Sequence, residues 1–141
     1  MQIKTQWLVA AALPFILSVS LLQAQDNEGK APRYDELPNF HRVGGLLYRG
    51  GQPKPGGYER LARLGVKTVV NLRDDDEHAR AEGDEAQAAG LRYYNVPLGR
   101  LGRPSDAEVE RVLRLIDAPE NQPVFVHCHR GADRTGVVVA I

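Results

Sequence analysis

Cysteine is almost missing from this sequence, and so is any imbalance of charge. One Cys occurs among 141 residues, and 18 Lys plus Arg are matched by 18 Asp plus Glu. A single Cys, Cys128, forms no internal disulfide and no Cys-based zinc site. It is a small buried hydrophobe, a stray thiol or a nucleophile, and its neighbours decide which. Balanced charge excludes a broad nucleic-acid-binding face, which needs a basic surface. Any preference for anions is then local to a pocket. Internal repeats and low-complexity segments are also missing. At 141 residues the chain has room for one domain and little more.

The one long apolar run is N-terminal. Lys4 supplies a short positive start, and Trp7 to Leu22 is apolar apart from Ser18, Ser20 and the break at Pro14. Leu22-Gln23-Ala24 offers a small-residue cleavage site, and polar Gln25 to Lys30 follows. This is the layout of a secretory signal peptide over residues 1–24, cut after Ala24. The run is short for a membrane span of about 20 residues, so a membrane enters only if the segment stays uncleaved. The expected destination is outside the cytoplasm, periplasmic or secreted. No cysteine follows the run to carry a lipid. Residues 25–38, polar and without periodicity, read as a linker, and 39–141 as the domain.

Strand and helix signals alternate through the domain. Short strands around Gly44-Gly45 fit Asn39 to Pro55. Tyr58, Leu61, Ala62 and Gly65 fall at helical spacing, with Gly65 placed to end the helix. Val66 to Leu72 reads as a buried strand, Ala79 to Ala89 as a helix stopped by Gly90, and Leu91 to Pro97 as another strand. Ser105-Asp106-Ala107-Glu108 has the form of a capping box, and Val109, Val112, Leu113 and Ile116 follow on one face. Pro119 ends that helix, Pro123 to His127 is the last strand, and a helix begins near Thr135. The expected fold is α/β, a mostly parallel central sheet flanked by helices. Ligands in such sheets bind beyond the carboxyl ends of the strands, and Cys128 falls there. The sequence stops on apolar Val137 to Ile141 without a cap, so a truncated C-terminus, with further helices missing, is expected.

The chemistry concentrates in the loop His127-Cys128-His129-Arg130-Gly131-Ala132-Asp133-Arg134-Thr135-Gly136. A β-branched run leads in and an apolar helix leads out. A thiol with a pKa near about 8.5 becomes a better nucleophile at a helix N-terminus. If the ligand is a phosphate ester, the backbone N–H groups at that helix N-terminus cradle its phosphoryl oxygens. Gly131 permits a positive φ, Arg134 offers a planar fork to two phosphate oxygens, and the Thr135 hydroxyl is placed to stabilise a departing thiolate. The reaction that uses all of these passes through a phosphocysteine.

This loop resembles the signature of the cysteine-based protein tyrosine phosphatase superfamily. Asn39 to Val43, Leu47 to Pro53, Leu64 to Arg73 and Pro123 to Cys128 are similar to its compact dual-specificity-like branch of atypical plant, fungal and bacterial members. The resemblance implies a phosphatase acting on a phosphorylated protein or small phosphate ester, with Cys128 as nucleophile, Arg134 as phosphate-binding arginine, the loop from His129 to Thr135 as phosphate cradle, His127 tuning the thiol, and neither metal nor cofactor. The general acid is open between two carboxyls. Asp106 sits at a loop-to-helix corner where the family often places a mobile acid, though a helix N-terminus also favours its charged form. Asp133 lies within the loop, where lipid-phosphatase-like members carry an acid, and is preferred. The basic character that inositol polyphosphate-handling members show in this loop is kept by His129 and Arg130 and lost at Ala132 and Asp133. A phosphoinositide or inositol phosphate substrate therefore stays an alternative, as does a non-catalytic phosphate-binding module. Arg49 and Arg73, near strand ends, are expected to be packing arginines before anion guides. Asp74-Asp75-Asp76 reads as a solvated loop, and His41 and His78 lack a ligand set.

Overall fold

The computed structural model describes residues 32–99 and 103–141. The expected signal peptide, residues 25–31 of the expected linker and part of the loop after Leu98 lie outside the described residues. Five strands form one sheet in the order β1-β2-β5-β3-β4: β1 (His41–Arg42), β2 (Leu47–Gly50), β3 (Thr68–Asn71), β4 (Arg92–Asn95) and β5 (Val124–His127). Only β1 and β2 run antiparallel, joined through the Gly44-Gly45 turn; β2, β5, β3 and β4 are mutually parallel. The helices are α1 (Gly57–Arg63), α2 (Glu77–Ala88), α3 (Asp106–Asp117) and α4 (Asp133–Val139), with a short 3₁₀ turn at Pro119–Asn121.

Every residue of β3 and β5 is buried, as the central strands of a covered parallel sheet must be. Their side chains alternate between two cores. Val124, Val126 and Cys128 join Val70, Leu72, Val112, Ile116 and Val138 beneath α3 and α4. Phe125 and Val69 join Tyr58, Leu61, Ala86 and Leu91 beneath α1 and α2. This alternation sends Cys128 to one face and His127 to the other.

Local signals set the helix ends. Gly65 and Gly90 adopt φ +83° and +82°, and the bonds Val66 N–H to Leu61 O and Leu91 N–H to Ala86 O, each closing six residues, end α1 and α2 in Schellman motifs. The Ser105–Glu108 capping box starts α3 as expected. Asp76 caps α2 by accepting from Ala79 N–H at 3.0 Å, so part of the acidic run serves the helix. Two expectations need correction. α4 starts at Asp133, not Thr135. The linker does not extend to Pro38: Leu37 is 2 % exposed within the α1–α2 core, Tyr34 packs edge-on against Phe40, and Glu36 pairs with Arg60 at 2.6 Å.

Candidate active site

The loop from His127 to α4 closes over the carboxyl ends of β2, β3 and β5, and three neighbouring groups shape it. Asn39 Nδ2 donates to the carbonyl of Arg130 at 2.9 Å, Gln52 N–H to that of His129 at 3.1 Å, and Arg49 Nη2 to that of Gly131 at 2.7 Å. Three consecutive carbonyls are thereby held on the outer side of the loop. The peptide planes are rigid, so their N–H groups are turned to the inner side, where the sulfur lies. Gly131 N–H meets Cys128 Sγ at 3.3 Å. Gly131 itself adopts φ +74°, and a Cβ there would stand 2.2 Å from the carbonyl carbon of Gly50. The loop and the β2 end are in direct backbone contact, which is why glycines stand at Gly51 and Gly131, while a Cβ at Gly50 would run into the Phe125 ring at 2.8 Å.

Cys128 is 2 % exposed yet lines a cleft of about 320 Å³ with His129, Arg130, Asp133 and Arg134. Burial pushes its thiol up, but the Thr135 hydroxyl and N–H, the Gly131 N–H and the Arg134 guanidinium outweigh that and hold it below its ordinary value. The Thr135 hydroxyl is buried, without another partner among the described residues, and directed at the sulfur. Arg134 donates from Nη1 to the carbonyl of Leu72 at 3.1 Å, which anchors the guanidinium beside the end of β3.

The two acid candidates are separated. Asp133 lines the cleft and pairs with Arg130 at 3.1 Å. Asp106 does not join it: its side chain is fully exposed, 3.8 Å from Arg103, in a different groove with Val109, Leu113 and Val137. His129 and Arg130 are exposed at the mouth. Gly131, Ala132 and Thr135 contribute backbone and, for Thr135, the buried hydroxyl.

Arg49 and Arg73 are both tied into the protein. Arg49 braces the loop, and Arg73 is bonded to Gln52 and lies 3.7 Å from Glu82. Glu82 was not a candidate from sequence. It is 5 % exposed on the inward face of α2, accepts from Asn71 Nδ2 at 2.5 Å, and lies 3.8 Å from His127 Nε2. Burial drives the Glu82 carboxyl up, to about 7, against the pull of Arg73. Burial likewise drives the His127 imidazole well down, so the ring is neutral and the contact is not an ion pair of full charges. The signal for Glu82 was present: Ala79, Glu82, Gly83 and Ala86 are the buried positions of α2, at helical spacing, and the other three are small.

Comparison with known proteins agrees with this geometry. The model of a DSP-PTPase phosphatase fused to NAD+ kinase matches residues 32–141. Dual specificity protein phosphatase TpbA of Pseudomonas aeruginosa is 35 % identical over 140 residues, covering 95 % of this chain and 62 % of that protein. The chain thus spans somewhat under two thirds of the length of that relative. An inositol diphosphatase of Arabidopsis thaliana is 27 % identical, covering 72 % of this chain and 52 % of its own length. The core catalytic domain of the PP-IP phosphatase Siw14 from Saccharomyces cerevisiae, in complex with citrate, superposes with a TM-score of 0.66 at 27 % identity, over 73 % of this chain and 64 % of that one. A Cys-to-Ser variant of Pseudomonas aeruginosa TpbA in complex with pTyr superposes with a TM-score of 0.61 at 32 % identity, over 80 % and 67 %. With the matched model spanning the whole described structure, the chain belongs to the dual-specificity-type family of cysteine-based phosphatases.

Proposed function

We propose that this protein hydrolyses phosphate monoesters through a phosphocysteine at Cys128. The observation that carries the reading is the environment of the sulfur. A nearly buried thiol is held below its ordinary pKa by Thr135, Gly131 and Arg134, in a cleft whose loop N–H groups are turned inward. A buried structural thiol would be pushed the other way.

The loop N–H groups and Arg134 hold the non-bridging oxygens of the phosphoryl group and oppose the charge that gathers on them in transit. The Cys128 thiolate attacks phosphorus opposite the ester oxygen. The P–S bond forms as the P–O bond breaks, and Asp133 delivers a proton to the leaving oxygen. Water then attacks the phosphocysteine. Its proton passes to the Asp133 carboxylate, the P–S bond breaks, inorganic phosphate leaves, and the returning thiolate is received by the Thr135 hydroxyl. Asp133 is favoured over Asp106 because only Asp133 lines the cleft with Cys128.

A protein or aryl phosphate suits the site better than a densely charged polyphosphate. Of the two basic residues at the mouth, His129 and Arg130, the arginine is already paired with Asp133. The complex of the TpbA variant with pTyr supports the same choice. The N-terminal layout of Lys4, the apolar run and Ala24 supports export to the periplasm or outside the cell.

Phosphate release from an aryl phosphate, compared with release from phosphopeptides and inositol phosphates, tests this. Cys128→Ser abolishes release and still binds inorganic phosphate. Asp133→Asn lowers kcat by roughly 10²–10³-fold and removes the acid-dependent limb of the pH profile, whereas Asp106→Asn leaves both unchanged. Wild-type-like turnover by Cys128→Ser contradicts the mechanism, phosphate binding without turnover by the native chain identifies a binding module, and a preference for inositol phosphates moves the substrate class.

A further inference from the structure

Behind the thiol lies a polar cluster that the two-step reaction leaves unused. It is assembled from four elements on the α2 side of the sheet: Asn71 at the end of β3, Tyr93 on β4, His127 at the end of β5 and Glu82 on α2. Glu82 Oε2 accepts from Asn71 Nδ2 at 2.5 Å and stands 3.8 Å from His127 Nε2 and 3.4 Å from the Tyr93 oxygen, whose own hydrogen is donated to the Ala79 carbonyl at 2.8 Å. On the other edge of the ring, His127 Nδ1 is 3.4 Å from the carbonyl of Cys128. The imidazole is 0 % exposed, and its Nε2 and Glu82 Oε1 are both buried without a hydrogen-bond partner among the described residues.

Proton placement follows from those contacts. A carbonyl only accepts, so Nδ1 carries hydrogen. In a neutral ring Nε2 is then a bare lone pair, and it faces a carboxyl oxygen, a second acceptor. Two acceptors face each other in a dry interior unless a proton lies between them. A proton on the Glu82 carboxyl, directed at Nε2, resolves the arrangement and keeps the ring neutral.

We propose that Glu82 and His127 hold one proton between them and act as a positioning unit for Cys128. With the proton present, the imidazole is fixed between the Glu82 carboxyl and the Cys128 carbonyl, and no net negative charge lies behind the sulfur. When the proton leaves, a carboxylate charge stands in the core against His127, the residue before the nucleophile, and disfavours the thiolate. The charged and titratable groups facing Glu82 are known from each packed element: Arg73 after β3, Tyr93 on β4, His127 on β5, Tyr58 on α1, and Asp76 and Glu85 at α2 itself. Arg73 alone among them is cationic, and it favours the carboxylate. Desolvation opposes it and wins, in keeping with the raised carboxyl.

This inference rests on the reading of Cys128 as nucleophile, and its test is independent of turnover. The rate at which iodoacetamide alkylates Cys128 in the full chain reports the thiolate directly. In the native protein the pH profile of that rate spreads over more than one ionisation step, because two interacting sites titrate together. In Glu82→Gln, neutral at every pH, it becomes a single step displaced to lower pH, and at the midpoint of the native profile alkylation is about 1.5- to 2-fold faster than in the native protein. A merely structural Glu82 lowers thermal stability and leaves the two profiles superimposed, which overturns the proposal. Imidazole ¹⁵N shifts in the native protein decide the matter without a variant. The proposal expects the neutral His127 ring to keep its hydrogen on Nδ1 while the Nε2 shift moves near neutral pH as the facing Glu82 carboxyl gives up its proton; an Nε2 shift that is flat through neutrality overturns it. If Cys128→Ser keeps phosphate release, the reading of the function fails while alkylation still reports on Glu82.

Discussion

At the scale of single residues, the site depends on groups whose ordinary charge the fold has altered. Glu82 keeps a proton up to about 7 in the native state and loses it near about 4.3 when unfolded. Between those values the unfolded chain binds fewer protons, so the contribution of Glu82 to stability falls as pH rises, by at most about 4 kcal/mol. His127 runs the other way. Its native ring stays neutral, while the unfolded ring takes up a proton below about 6.5, so stability falls as pH falls. The two slopes oppose each other in mildly acidic solution. Urea unfolding at a series of pH values is expected to show a shallow native profile there and a decline toward neutrality, whereas Glu82→Gln keeps only the rise with pH set by His127. Parallel profiles for the two proteins would remove Glu82 from the account. That Cys128, Asp133 and Arg134 line one cleft was legible in the sequence because one short string carries them all. Glu82 was not, since a carboxylate among charged helix residues looks solvated until β3, β4 and β5 are packed beneath it.

At the scale of elements, the hairpin of β1 and β2 is the mould for the loop. Asn39, Arg49 and Gln52 orient three of its carbonyls, and the Gly50 backbone occupies the space a Gly131 side chain would need. Gly131→Ala is expected to lose activity by more than about 10²-fold and stability by roughly 2–4 kcal/mol, from a positive φ and a backbone clash together. Gly136, inside α4, meets nothing within 4 Å of a built Cβ. Gly136→Ala should therefore be neutral or stabilise by up to about 1 kcal/mol, since alanine outscores glycine in a helix. Urea midpoints and aryl phosphate turnover for the two variants check the contrast; equal effects would mean that the close approach of Gly50 does not shape the loop. The helices themselves were readable from their ends, Gly65, Gly90 and the Ser105–Glu108 box, because capping is local chemistry. The early start of α4 was not, because the chain turns helical only after the positive φ at Gly131 redirects it, and that turn is enforced by β2. The roles of Arg49 and Asn39 are hidden for the same reason: each reaches about 80–90 positions along the chain.

At the scale of the molecule, a mostly parallel sheet with helices on both faces was legible because strand and helix signals alternate so regularly. Its N-terminal boundary was not. Residues 33–38 are polar and proline-containing, without a period to mark them, yet Leu37 enters the core beneath α1 and α2. The contact is tertiary: a Cβ on Gly57 would stand 2.9 Å from the Glu36 carbonyl and 3.2 Å from Leu37 Cδ2. Leu37→Ala is expected to cost about 2–5 kcal/mol, as loss of a buried leucine does, measured by chemical denaturation. A change within about 0.5 kcal/mol would return the segment to the status of a solvated linker.

The central claim is that phosphate leaves its ester on the sulfur of Cys128. Rapid acid quench of the protein mixed with an aryl phosphate, followed by mass measurement of its peptides, tests that directly. The account predicts one phosphoryl group on the peptide bearing Cys128, stable to acid and absent from Cys128→Ser. Phosphate released with no labelled peptide at any quench time, or a phosphoryl group carried on any other residue, would contradict it.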